Sequence, residues 1–406
     1  MNLRSRLVAL AALLLATGAA LAADDVQRGR YLATLGDCAA CHTARHGAPY
    51  AGGRVVPTPF GAIPAPNLTP DRETGLGDWT ADDFYRAMHS GIGHDGTSLY
   101  PAFPFTSYTK ATRADTDAIF AYLRSLPAVK RESAPNTLRW PYRMRSLMTA
   151  WRGLYFDEGE YRPDPKRSAA WNRGAYLVQG LGHCNECHAR RNSFGAMVQE
   201  PFLAGGVVPV QDWYAPDLSM GPNGGLAGWS EADVVALLKT GRSPKGTASG
   251  PMAEVVMRST QHLDDADLAA IATYLKSLPD RPPPRQREAA AAAHPLAARG
   301  EKVYADRCAG CHAADGRGKG DAYPALDGNG SVTDPTGINA IRMVLSGGFA
   351  PATRDNPRPY SMPPFSQTLS DDDAAAVVTY IRQAWSNKAP SVSANDVRAY
   401  RSIPGR

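Results

Sequence analysis

The six cysteines of this 406-residue chain all fall in three copies of one pattern: Cys38-Ala-Ala-Cys41-His42, Cys184-Asn-Glu-Cys187-His188 and Cys308-Ala-Gly-Cys311-His312. Cys-x-x-Cys-His is the attachment signature of c-type haem. Two thiols one helical turn apart reach the two vinyl groups of one porphyrin and become thioethers, and the adjacent histidine then lies beneath the iron as an axial ligand. Zinc would gather four ligands at one site. Here successive first cysteines lie 146 and 124 residues apart, so each stretch of chain carries its own pair. A redox dithiol explains neither the repetition nor the histidine in every copy. The expected cofactors are three haem c groups, held through Cys38, Cys41, Cys184, Cys187, Cys308 and Cys311, with His42, His188 and His312 as proximal iron ligands.

The other face of each iron sets potential and reactivity, and a methionine thioether there raises the potential. A methionine for that role belongs in the loop before the last helix of a repeat. Tyr360-Ser-Met362-Pro-Pro-Phe365 supplies one for the third haem, and Ser249-Gly-Pro-Met252 supplies one for the second. The first loop reads Leu99-Tyr-Pro-Ala-Phe103-Pro-Phe105, and phenylalanine cannot coordinate iron. His94 is the expected sixth ligand of the first haem, with His89 or Met88 as alternatives. A histidine gives a lower-potential haem, and an empty position leaves one able to bind small molecules.

The elements that position these residues recur three times. A short helix leads into each motif: Arg28-Gly-Arg-Tyr31, Arg173-Gly-Ala-Tyr176 and Arg299-Gly-Glu-Lys-Val303-Tyr304, with glycine permitting close approach of another helix. A middle helix starts at Trp79-Thr-Ala-Asp-Asp-Phe84 and at Trp229-Ser-Glu-Ala-Asp-Val234, with Thr80 and Ser230 as N-caps. These helices stop at Gly91 and Gly241, and the third, from Ile338 to Leu345, stops at Gly347. The last helix is the most periodic. Ile119, Tyr122, Leu123 and Leu126 share a face, as do Leu268, Ile271, Leu275 and Leu278, then Val377, Tyr380 and Ile381. The expected fold is all-α: three tandem class I cytochrome c domains with loop-rich connections. The expected boundaries are a signal peptide over 1–22, domains over 24–129, 170–280 and 294–389, linkers over 130–169 and 281–293, and a polar tail over 390–406, frayed or docked on a partner.

Arg4 and Arg6, the apolar run Leu7 to Leu21 and small residues ending at Ala22 form the signal peptide, which places the mature protein in the periplasm. That run is short for a membrane span, and no later stretch reaches spanning length. Composition is ordinary for a globular chain, 43% hydrophobic and 20% charged. Cleavage takes the formal charge from +5 to +3, and the propionates of three haems offset it, so nucleic acid is not an expected partner. Gly316-Arg-Gly-Lys-Gly320 lacks the strand–helix context of a phosphate loop and reads as a flexible loop near the third haem.

The arrangement resembles the three-haem cytochrome subunits of periplasmic membrane-associated dehydrogenases, those serving alcohol, gluconate, sorbitol or aldehyde dehydrogenases. The resemblance covers nearly the whole mature chain. It rests on Cys38 to His42, Leu99-Tyr-Pro-Ala, Trp171-Asn-Arg-Gly174-Ala-Tyr176-Leu-Val, Gly180-Leu-Gly-His-Cys184, Met252-Ala-Glu-Val-Val and Ser361-Met362-Pro. The linker takes part too, through Leu138-Arg-Trp-Pro141-Tyr142, Trp151 to Tyr155 and Arg162-Pro-Asp-Pro165. In that family the first loop usually carries the methionine ligand, so Phe103 departs from it. Loops of the Leu-Tyr-Pro-Ala-Phe form are similar to those of cytochromes serving molybdenum hydroxylases that oxidise aldehydes or N-heterocycles. The resemblance implies an electron relay from a dehydrogenase catalytic subunit to quinone or another respiratory acceptor, with peripheral attachment to the membrane. The rival readings are a haem enzyme, peroxidase-like or sulfur-oxidising, that works at the first haem, and a stand-alone periplasmic carrier.

Overall fold

The computed structural model describes residues 23–219, 225–279, 296–320 and 322–401. The expected signal peptide and the 281–293 linker lie outside the described residues. The chain forms two compact units, Met1–Pro163 with Gln179–His183, and Asp164–Val178 with Cys184–Arg406. Helices dominate, accompanied by four short two-stranded antiparallel ribbons among the described residues.

In the first unit a lead helix over 23–35 runs into the motif helix Cys38–His42. A ribbon follows, Val55–Thr58 paired with Gly61–Pro64. The middle helix Ala81–Ser90 begins at Thr80, as expected, with a capping box in which Thr80 and Asp83 satisfy each other's backbone N–H. It ends at Gly91, whose φ of 65° suits the left-handed cap. Phe84, Ala87 and Met88 form its buried face, and Ala118, Ile119 and Leu123 that of the closing helix Arg113–Arg124. Lead and closing helices cross at Gly29, where an added Cβ would stand 1.8 Å from the Ala118 carbonyl oxygen.

The expected linker is itself built on this unit. Its helix, Ser146–Tyr155, buries Trp151, and Phe105 meets Trp151 and Phe156 edge-on at 6.4 and 5.1 Å. The Tyr100 hydroxyl donates to the Arg143 carbonyl at 3.0 Å.

The second unit holds two further runs of the same elements. The first has a lead helix Ala169–Gln179, motif helix Asn185–His188, middle helix Glu231–Thr240 and closing helix Asp265–Lys276. The second has Ala297–Arg307, Ala309–His312, Ile338–Ser346 and Asp371–Gln383 in the same order. The glycine crossings repeat: a Cβ on Gly174 would meet the Ala270 oxygen at 2.0 Å, and one on Gly300 the Ala376 oxygen at 2.3 Å. The residue before each glycine makes an ion pair that sequence reading missed. Arg28 reaches Asp115, Arg173 Asp267 and Arg299 Asp373, in each case the third residue of the closing helix. The two runs also hold each other, because the Asn339 side chain bonds both the N–H and the carbonyl of Tyr214, at 2.9 and 2.8 Å.

Two expectations are corrected. The tail is neither frayed nor left for a partner over its described part: Ala394–Arg401 is a helix on the third run's own core, with Val392 and Val397 buried and Arg401 paired with Asp371. Only two valines and Tyr400 face inward, too sparse a pattern to announce a packed helix. The Gly316–Gly320 segment is not a free loop either, since Gly316 lies against the Trp385 ring at a φ of 69°.

Candidate haem sites

Each motif histidine is held the same way. Nδ1 of His42 lies 2.8 Å from the Pro66 carbonyl oxygen, that of His188 2.7 Å from Pro216, and that of His312 2.9 Å from Pro324. A carbonyl only accepts, so Nδ1 must carry the proton, which leaves the Nε2 lone pair as the metal donor. Burial pushes all three imidazoles below their ordinary pKa, toward the neutral form a ligand needs.

The backbone that delivers the proline also recurs. The histidine carbonyl accepts from Gly52 at 2.7 Å, from Gly205 at 2.8 Å and from Gly318 at 3.0 Å. These glycines have φ of 73°, 72° and 74°, and a Cβ on any of them would press into the backbone of Pro66, Pro216 or Pro324. Two residues after each proline a leucine N–H closes the loop: Leu68 onto Tyr50, Leu218 onto Leu203 and Leu326 onto Gly316. Sequence reading missed this clamp, although Pro66-Asn-Leu, Pro216-Asp-Leu and Pro324-Ala-Leu were there to be compared.

All six cysteines are free of disulfides. Burial pushes Cys38 and Cys184 up to about 12, so both are protonated thiols rather than thiolates. Among the described residues no group of three or more His, Cys, Asp or Glu is arranged for a metal ion. Paired thiols beside a neutral, oriented imidazole do fit a haem. When bound, the haem supplies one-electron redox chemistry, and these residues fix its edge and its proximal ligand.

The distal candidates separate. Met252 occupies the first turn of the helix Pro251–Arg258 and is half-buried. Met362 is half-buried in a ribbon with Gly348 and packs on the third core. In the first unit, His94 sits at the tip of a hairpin closed by the Ile92–Ser98 bridge. Its Nδ1 is 3.0 Å from Asp83 and its ring stacks on Trp79 at 5.5 Å. His89 stacks on Tyr85 at 4.9 Å, with Nε2 3.7 Å from Glu158. Met88 is only 3% exposed. Phe103 meets Tyr108 edge-on at 5.4 Å.

The family model for cytochrome c matches residues 26–127 and 297–385. The chain is 43% identical over 389 residues to a subunit of the nicotinate dehydrogenase of Pseudomonas putida, covering 94% of this chain but only 32% of that protein, so it spans about a third of that relative. It is 39% identical over 408 residues to the cytochrome c subunit of the quinone-dependent alcohol dehydrogenase of Gluconobacter oxydans, covering 95% of this chain and 84% of that one. Against the gluconate 2-dehydrogenase cytochrome c subunit of Pantoea cypripedii it is 37% identical over 410 residues, covering 94% and 92%.

Proposed function

Because the chain belongs to the cytochrome c family, among the cytochrome c subunits of dehydrogenases, we propose that it relays electrons through three covalent haems from a dehydrogenase catalytic subunit to quinone or another respiratory acceptor. The observation that carries this is the histidine clamp, present in each of the three motifs: a neutral imidazole with Nδ1 tied to a proline carbonyl and Nε2 left for iron. Three tandem class I cytochrome c domains are the architecture proposed, supported by the threefold recurrence of lead, middle and closing helices. Met252 and Met362 are the sixth ligands proposed for the second and third irons. The relatives are named as subunits of larger enzymes, which disfavours both the stand-alone carrier and a haem enzyme.

The proposed compartment is the periplasm, from the composition of residues 1–22. Among the described residues no helix is long and apolar enough to cross a membrane. Peripheral attachment is supported by the linker helix, on which Leu147, Ala150 and Leu154 are exposed although Trp151 is buried. The test is haem stoichiometry. The mass of the mature chain should show three haem additions that survive acid–acetone extraction. Fewer than three would refute the relay as drawn.

A further inference from the structure

We propose that the first iron receives no protein ligand on its distal side, and that this position, beside Phe103, takes a small neutral diatomic molecule such as carbon monoxide or nitric oxide. The proposal rests on the haem reading above and goes beyond it.

Phe103 follows the glycine that ends its middle helix by 12 residues, as Met252 follows Gly241 by 11 and Met362 follows Gly347 by 15. A phenyl ring therefore stands where the other two runs offer sulfur. Of the three substitutes near it, Met88 and His94 are accounted for by other contacts, and His89, whose buried Nδ1 has no hydrogen-bond partner, is turned elsewhere. Met88 lies three residues before the capping glycine, the place of Leu238 and Val344, which are buried core residues of their own middle helices. Met88 is thus the first unit's version of an ordinary core position. His89 is on the face of the helix turned to the linker, between Tyr85 and Glu158. His94 is at a hairpin tip that in the second run is Pro244 and Lys245, between the paired segments Arg242–Ser243 and Gly246–Thr247. It is anchored there by Asp83 and Trp79, at the start of the middle helix rather than in the loop that follows.

The surroundings of Phe103 choose the ligand class. Its ring faces the Tyr108 ring, and the Tyr108 hydroxyl donates to the Gly36 carbonyl at 2.9 Å in a buried bond. That hydroxyl's proton is committed to the Gly36 carbonyl, and the phenyl offers no donor. Distal polarity and hydrogen-bond donors decide what a haem binds. An apolar wall without a donor favours a neutral diatomic over an anion such as cyanide or azide, whose charge would be buried unpaired.

The test is titration of the dithionite-reduced full chain with carbon monoxide, after mass measurement has established three haems. One equivalent per chain should bind, seen as conversion of one third of the Soret absorption. Phe103→Leu should keep that uptake, and Phe103→Met should abolish it while adding a thioether-to-iron band. His94→Ala, His89→Ala and Met88→Leu should leave the uptake unchanged. A chain with three haems and no carbon monoxide uptake overturns the proposal, as does a Met88, His89 or His94 variant that gains uptake the wild type lacks. A chain with fewer than three haems instead overturns the haem reading itself.

Discussion

A histidine whose Nδ1 proton is already given to a proline carbonyl reaches iron as a neutral donor of fixed orientation, so little reorganises when the iron changes charge. The histidine half of each candidate site is therefore alike, and under the proposed relay differences among the haems are expected on the distal side. Met362→Ala should remove one share of the far-red thioether-to-iron absorption of the oxidised protein, and Met252→Ala another. The double variant should show none, because Phe103 denies the first iron a third share. An optical spectrum of the double variant that kept the band would show that another methionine ligates. The thiols, the motif histidines and the two methionines proposed as ligands could be picked out in the sequence because their side chains carry the chemistry. The clamp was not, since its acceptors are backbone carbonyls of Pro66, Pro216 and Pro324, and its glycines lie 10, 17 and 6 residues beyond their histidines. Such variable spacing hides a constant contact.

Lead and closing helices meet backbone to backbone at Gly29, Gly174 and Gly300, which brings the residue before each glycine beside the first turn of the closing helix. The glycines were legible in Arg-Gly. The ion pairs were not, because Arg28–Asp115, Arg173–Asp267 and Arg299–Asp373 join residues 87, 94 and 74 apart, beyond any helical period. With Arg28 about half exposed, that pair contributes little to stability; the crossing matters more. Gly29→Ala would place carbon 1.8 Å from the Ala118 oxygen, so the helices must separate. The expected cost is about 1–3 kcal/mol, by analogy with overpacked cores, read as a lower midpoint of thermal unfolding of the haem-loaded chain. An unchanged midpoint would mean that the crossing yields freely. The tail helix is a second case. Val397 is fully buried against the third core, and Val397→Ala removes two carbons, costing on the order of 2 kcal/mol. Differential scanning calorimetry should show one transition lowered, and a tail that only rested on the surface would show no change.

For the whole molecule, no described helix is long and apolar enough to cross a membrane, so the proposed attachment must rest on a surface. From Ser133 to Phe156 the sequence has no acidic residue and carries Arg139, Arg143, Arg145 and Arg152. Trp140 is 73% and Leu154 74% exposed, with Met144 and Leu147 also exposed, while Trp151 is buried. Aromatic and aliphatic side chains among arginines suit the headgroup boundary of an anionic bilayer, where apolar contact and charge attraction add. Attachment of this kind has two separable parts. High salt should weaken the charge part, since the Debye length shrinks to about 3 Å at 1 M, and alkaline washing should then release the chain from native membranes without detergent. Trp140→Ala combined with Leu154→Ser should lower the fraction that sediments with phosphatidylglycerol vesicles, with haem content unchanged. A chain that resisted salt and alkali after cleavage at Ala22 would have to be held by something stronger than this surface. A double variant that sedimented as the wild type does would place the contact elsewhere on the molecule.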